Sequence, residues 1–158
     1  MLFAGLVFAG CSKKENQFTV SGNVSHAEGQ TVYFEKLLVS STKLLDSMKI
    51  EDDGNFEFKG VTDNPAYYLL KLSDSKFITL LIDSLDHIEV NADAVNFERD
   101  YRVEGSLGSL LVKELTDQLN DTQHNLDSLR ALHNLYRGNS DYAQMKEQWN
   151  QEAEQIKE

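Results

Sequence analysis

The chain is poor in the residues that carry most enzyme chemistry. Its 158 residues include one cysteine, one proline, one tryptophan and four histidines. A single cysteine, Cys11, excludes an internal disulfide, and without a CxxC pair there is no dithiol for thiol–disulfide exchange. The histidines His26, His87, His124 and His133 lie scattered, and the last two do not share the one-turn spacing of a helical metal pair. No metal site and no cofactor are expected from them. Ser47, Ser84 and Ser109 lack the G-x-S-x-G context of a nucleophile elbow, so no catalytic residue is assigned and the chain is expected to be no enzyme. Basic residues are also short, 15 against 26 acids for a net charge of -11. That excludes nucleic acid as a partner, because phosphate binding needs clustered Lys and Arg. The acids are spread through turns and helix faces and read as a solvated surface.

What is present begins with the setting of Cys11. Leu2 to Ala9 is a short apolar run, far below the ~20 residues that cross a bilayer. Phe8-Ala9-Gly10-Cys11 resembles a bacterial lipoprotein lipobox, in which the cysteine thiol is diacylated and the leader is cut before it. Residues 1–10 then read as a signal peptide. Its start is expected to be truncated, since no Lys or Arg precedes Cys11. Residues 11–17 read as a polar tether. Ser12 stands where an Asp would resemble an inner-membrane retention signal, which points to the outer membrane, facing the periplasm.

From Phe18 the pattern has a period of two. Phe18–Val24, Thr31–Leu37, Lys43–Ile50, Phe56–Gly60, Ala66–Leu72, Phe77–Ile82, His87–Asn91 and Asp100–Glu104 all read as strands. Ala66–Leu72 is nearly continuous in apolar residues and reads as a central strand. The most regular stretch surrounds Asp53-Gly54, where glycine can supply a positive φ. Met48 and Ile50 before it, and Phe56 and Phe58 after it, read as the two arms of a hairpin. Eight short strands with no helix between them predict a mainly β fold, an antiparallel sandwich over residues 18–105.

At Gly105 the period changes to that of a helix. Leu111, Leu115, Leu119, Thr122, Leu126, Leu129, His133 and Tyr136 step by three or four along one stripe. Ser106 or Ser109 suits the N-cap, and Gly138-Asn139 suits the stop. Ser140-Asp141 then caps a second helix bearing Tyr142, Met145, Trp149, Ala153 and Ile156 on one face. Residues 106–158 are therefore expected to form an antiparallel helical hairpin. Periodicity still runs at Glu158, which reads as a fragment end.

Two surface features invite a functional reading. Asp52-Asp53-Gly54-Asn55 has the look of a calcium loop but lacks the spaced oxygen ligands and the distal Glu, and a turn accounts for it. Tyr33, Tyr67, Tyr68 and Tyr101 offer either an aromatic platform for a sugar or peptide, or the filling and rim of the sandwich.

The lipobox, Phe18-x-Val20-x-Gly22-x-Val24, Val32-Tyr33-Phe34-Glu35-Lys36, Leu45-Asp46-Ser47, Asp53-Gly54-Asn55-Phe56-x-Phe58-x-Gly60, Tyr67-Tyr68-Leu69-Leu70 and the helical pair together carry a resemblance. The chain is similar to the N-terminal domain, of unknown function, of Bacteroidetes envelope lipoproteins. In that family a thioredoxin-like domain of the TlpA/ResA or AhpC/TSA type, with a WCxxC site, commonly follows. The resemblance implies a non-catalytic module, held at a membrane of a Gram-negative cell envelope through lipidated Cys11, that positions such a domain. WCxxC is absent from this chain, so no catalytic residue carries over. The alternative is a free-standing lipoprotein that binds a glycan or peptide. A further reading is an assembly module that dimerises through the helical stripe.

Overall fold

A computed structural model describes residues 16–138 and 142–157. Cys11, the lipobox and the Ser140-Asp141 cap lie outside the described residues. The chain divides into two compact units, one running to Ser109 and the other from Leu110 onward.

The first unit is a two-sheet sandwich. Its strands are β1 (Gln17–Ser25), β2 (Thr31–Leu37), β3 (Thr42–Lys49), β4 (Asn55–Val61), β5 (Ala66–Lys71), β6 (Phe77–Ile82), β7 (His87–Asp93) and β8 (Tyr101–Glu104). One sheet has the order β4-β1-β7-β8 and the other β3-β2-β5-β6. Alternation decides which side chains go inside. In β4, Phe56 and Phe58 are buried while Asn55, Glu57 and Lys59 are exposed. β5 lies inside its sheet, as its apolar run predicts.

Aromatic rings join the two sheets. Phe34 on β2 stacks on Phe58 of β4 at 5.3 Å and on Tyr68 of β5 at 5.4 Å, while Phe18 of β1 meets Tyr68 edge-on at 5.1 Å. β2 therefore lies over β4, and β5 over β1. Around these rings Val20, Val32, Leu70, Leu80, Ile82 and Val90 are fully buried.

Two features depart from a simple antiparallel meander. First, β3 and β4 are not arms of one hairpin: they belong to different sheets, β3 pairing with β2 and β4 with β1. Asp53-Gly54 turns the chain from one layer to the other. Gly54 has φ 73°, donates its N–H to the Glu51 carbonyl at 3.0 Å and accepts the Val24 N–H at 2.8 Å. A positive-φ glycine serves such a corner as well as a hairpin. Second, β1 pairs in parallel with β7, from Thr19↔His87 to Ser25↔Asp93. Every other pairing is antiparallel.

The strand edges are finished differently. On β6 the Leu81 carbonyl accepts the hydroxyls of Ser106 and Ser109 at 3.3 and 2.9 Å. β8 is four residues long. β4 carries the Glu57–Lys59 ion pair, 2.8 Å. β3 is exposed at all eight positions. It lies beyond β2, and β2 already sits over the last strand of the opposite sheet, so β3 overhangs the sandwich.

The helices are α1 (Leu107–Tyr136) and α2 (Tyr142–Lys157). Ser106 caps α1, accepting the Ser109 N–H on its hydroxyl at 3.3 Å. In the second unit, Thr122, Leu126, Leu129, His133 and Tyr136 are half-buried, as are Tyr142, Met145, Trp149, Ala153 and Ile156 of α2. His133 meets Tyr142, and Tyr136 meets Trp149. The first half of the stripe faces outward. Leu111, Leu115 and Leu119 are exposed by 54, 57 and 61%. α1 has 30 residues and α2 has 16, so at 1.5 Å per residue the shorter helix covers only part of the longer. Neither described helix is long and apolar enough to cross a membrane.

Candidate functional site

His26, His87 and His133 each have a side-chain partner. His26 Nδ1 lies 2.9 Å from Asp93 Oδ2, His87 Nδ1 lies 2.9 Å from the Thr19 hydroxyl, and His133 Nε2 lies 2.7 Å from the Tyr142 hydroxyl. The histidines are not brought together. Among the described residues no group of three or more His, Cys, Asp or Glu side chains could hold a metal ion. Cys11, the one sequence-assigned site residue, is outside the described residues.

The acidic corner is a turn. Asp53 accepts the Asn55 N–H at 3.1 Å and the Asn55 side-chain amide at 3.0 Å, while Asn23 donates to the Asp53 carbonyl at 2.6 Å. The Asn55 N–H, ahead of its side chain, holds the Asp53 carboxyl below its ordinary 3.8. The tyrosines do not form one platform. Tyr68 and Tyr101 are buried, while Tyr33 and Tyr67 are exposed.

The residues that do converge lie on the outer face of the β4-β1-β7-β8 sheet. Register places Asn55 beside Asn23, Asn23 beside Asn91, and Asn91 beside Arg102, one polar row across four strands. A cleft of about 470 Å³ opens at its β7–β8 end, lined by Asn23, Ser25, Asn91, Asp93, Asp100 and Arg102 among others. Asn91 donates its amide to Glu89 at 2.9 Å. The row offers amide and guanidinium donors beside carboxylate acceptors, a set suited to hydroxyl groups. It contains no nucleophile activated by a base. Sequence reading misses it because β1 and β7 become neighbours only through the parallel pairing, and no local pattern marks that.

Asp93 anchors one wall. It accepts the Val95 N–H at 2.8 Å and contacts His26, and these bonds, the Val95 N–H first, hold its carboxyl below 3.8. A depressed carboxyl stabilises the fold above its unfolded pKa, and that contribution is lost as pH falls through the lower folded value. Asp93→Asn is expected to make the melting temperature fall less steeply than in the native chain as the pH drops below about 4. Calorimetry across that window checks it, and identical slopes would sink it.

A second cleft, about 430 Å³, lies in the helical unit between Leu126, Leu129, Arg130 and His133 of α1 and Trp149 and Ala153 of α2. It is the open part of the helix–helix seam.

Residues 18–109 match the family described as Domain of unknown function (DUF4369). No curated protein matches the chain.

Proposed function

The chain belongs to the DUF4369 family of domains of unknown function, and we propose its role from its own residues together with its resemblance to the N-terminal domain of Bacteroidetes envelope lipoproteins. It is the non-catalytic module of an envelope lipoprotein, anchored through Cys11 in the outer membrane and facing the periplasm. Its task is to position a thioredoxin-like thiol–disulfide oxidoreductase domain. The observation that carries this reading is the build of the described chain. The sandwich is followed by a helix of 30 residues, about 45 Å of spacer. The apolar run ending in Gly10-Cys11 supports the anchor, and these 158 residues hold no WCxxC, in keeping with a non-catalytic module.

Acyl methylenes contribute roughly 0.8 kcal/mol each to membrane binding, so removing the attachment point has a large effect. Cys11→Ala is expected to shift the full-length protein from the detergent phase to the soluble envelope fraction, or to leave it unprocessed. Unchanged partitioning would overturn the anchor. Insulin reduction with dithiothreitol tests the second half. The 158-residue chain is expected to stay at background and any longer product of its gene to exceed it. Silence in both would remove the oxidoreductase partner. The amide row on the outer sheet face favours one alternative, a lipoprotein that binds a hydroxyl-rich ligand such as a glycan.

A further inference from the structure

We propose that the overhanging β3 edge is a docking site for an extended segment of a partner protein, apolar in its middle and acidic at its ends, which adds to the sheet as a strand. This rests on the edge alone and is independent of any anchor on Cys11. Edge strands present unpaired backbone groups, and proteins blunt them by covering, shortening or charging them. Here β6 is partly covered by two serines, β8 is short and β4 is charged. β3 alone is long and rich in exposed apolar side chains. Leu44, Leu45 and Met48 are exposed by 55, 42 and 36%, and Leu37, Leu38 and Val39 at the hairpin tip by 40, 45 and 107%. β3 pairs only with β2 among the described residues, and a register shift leaves Leu45 without a cross-strand partner. An added strand pairs on either side of that bulge, supplying backbone partners and covering apolar surface together.

Charge selects the occupant. On β3 itself Lys43 and Lys49 flank the exposed apolar positions, with Asp46 the single acid between them, in a chain of net charge -11. Acidic residues flanking an apolar strand complement this patch. A second copy of β3 would bring the same lysines and the same net negative charge. A membrane surface is the lesser fit. Met48 lies about 20 Å of strand from the hairpin tip, too far along for a contact made by the tip.

The test is selection of random dodecapeptides displayed on phage against the intact chain. Affinities are then measured by fluorescence polarisation on synthetic copies of the enriched sequences. The expected result is enrichment of β-branched and aromatic residues flanked by Asp or Glu. Binding should weaken with salt and by about tenfold or more in Leu44→Glu and in Met48→Glu. Both positions are exposed, so the variants are expected to keep the native melting temperature. Amides of 42–49 should gain hydrogen-exchange protection when peptide binds. Several results overturn the proposal: no enrichment, equal affinity in both variants, or protection confined to another strand. Dimerisation that depends on β3 without peptide binding also overturns it, in favour of a second copy. So does binding to anionic vesicles that is lost in Val39→Glu but kept in Met48→Glu, in favour of a lipid surface.

Discussion

Phe34→Ala is expected to lower the melting temperature of the sandwich by on the order of 15–30 °C, or to unfold it at 37 °C. Large-to-small changes at a buried phenylalanine cost about 3–5 kcal/mol, and for a domain of this size each kcal/mol moves the midpoint by about 4–8 °C. Phe34 is placed for the upper part of that range. It is 1% exposed, stacks on Phe58 and Tyr68, and meets Phe18 edge-on at 6.1 Å. Truncation leaves three rings from both sheets facing a cavity that a sandwich closed from two sides cannot collapse to fill. Thermal denaturation followed by circular dichroism at the strand signal measures the effect. Leu44→Ala, on the exposed β3, is the control and is expected to change stability by about 0.5 kcal/mol or less. Similar losses in the two variants would show that the aromatic layer is not the centre of the core.

Gly22→Ala is expected to be nearly as severe, at about 3–5 kcal/mol, for a different reason. Gly22 lies in β1 opposite Val90, in the middle of the parallel pairing with β7. A Cβ there would stand 1.8 Å from the Val90 carbonyl oxygen and 2.6 Å from its carbonyl carbon. Those are backbone atoms of the neighbouring strand and have no rotamer to yield. The φ of 154° adds strain that glycine alone avoids. One methyl group is thus set against the alignment of two strands. Urea unfolding with hydrogen exchange separates this from ordinary core damage. Amides of β1 and β7 should lose protection before those of β2 and β5. A uniform loss, or an unchanged midpoint, would refute the close-approach account.

The sequence reveals the elements more readily than their partners. Phe56 and Phe58 against Asn55, Glu57 and Lys59 state a strand and its buried face, because the pleat alone decides which side chains point inward. The seam of α2 is equally legible, from Tyr142 through Trp149 to Ile156. Pairing is another matter. Asp53-Gly54 reads as a hairpin because the local geometry of a hairpin and of a corner between layers both call for a positive φ. The leucines at 111, 115 and 119 belong to the same stripe as the half-buried residues after them, because periodicity records an apolar face but not the reach of the helix that covers it. The row of Asn55, Asn23, Asn91 and Arg102 has no signature at all, since its members come from four strands and meet only through register.

The parallel pairing of β1 with β7 sets the order in which the molecule can assemble. Thr19 and His87 are 68 positions apart, whereas Asn23 and Asn55 on the antiparallel side of β1 are separated by 32. Joining β1 to β7 closes a loop that contains five of the eight strands, β2 through β6, and chain entropy opposes such closure before any contact repays it. On a chain emerging from its N-terminus, β1 and β4 can meet long before β7 exists, and in that interval one side of β1 has no neighbour. The half-built sheet exposes Val20 and Val24 to whatever else is nearby. High contact order therefore makes this a slow-folding sandwich whose vulnerable species is the nascent chain, and whose yield on refolding falls as protein concentration rises.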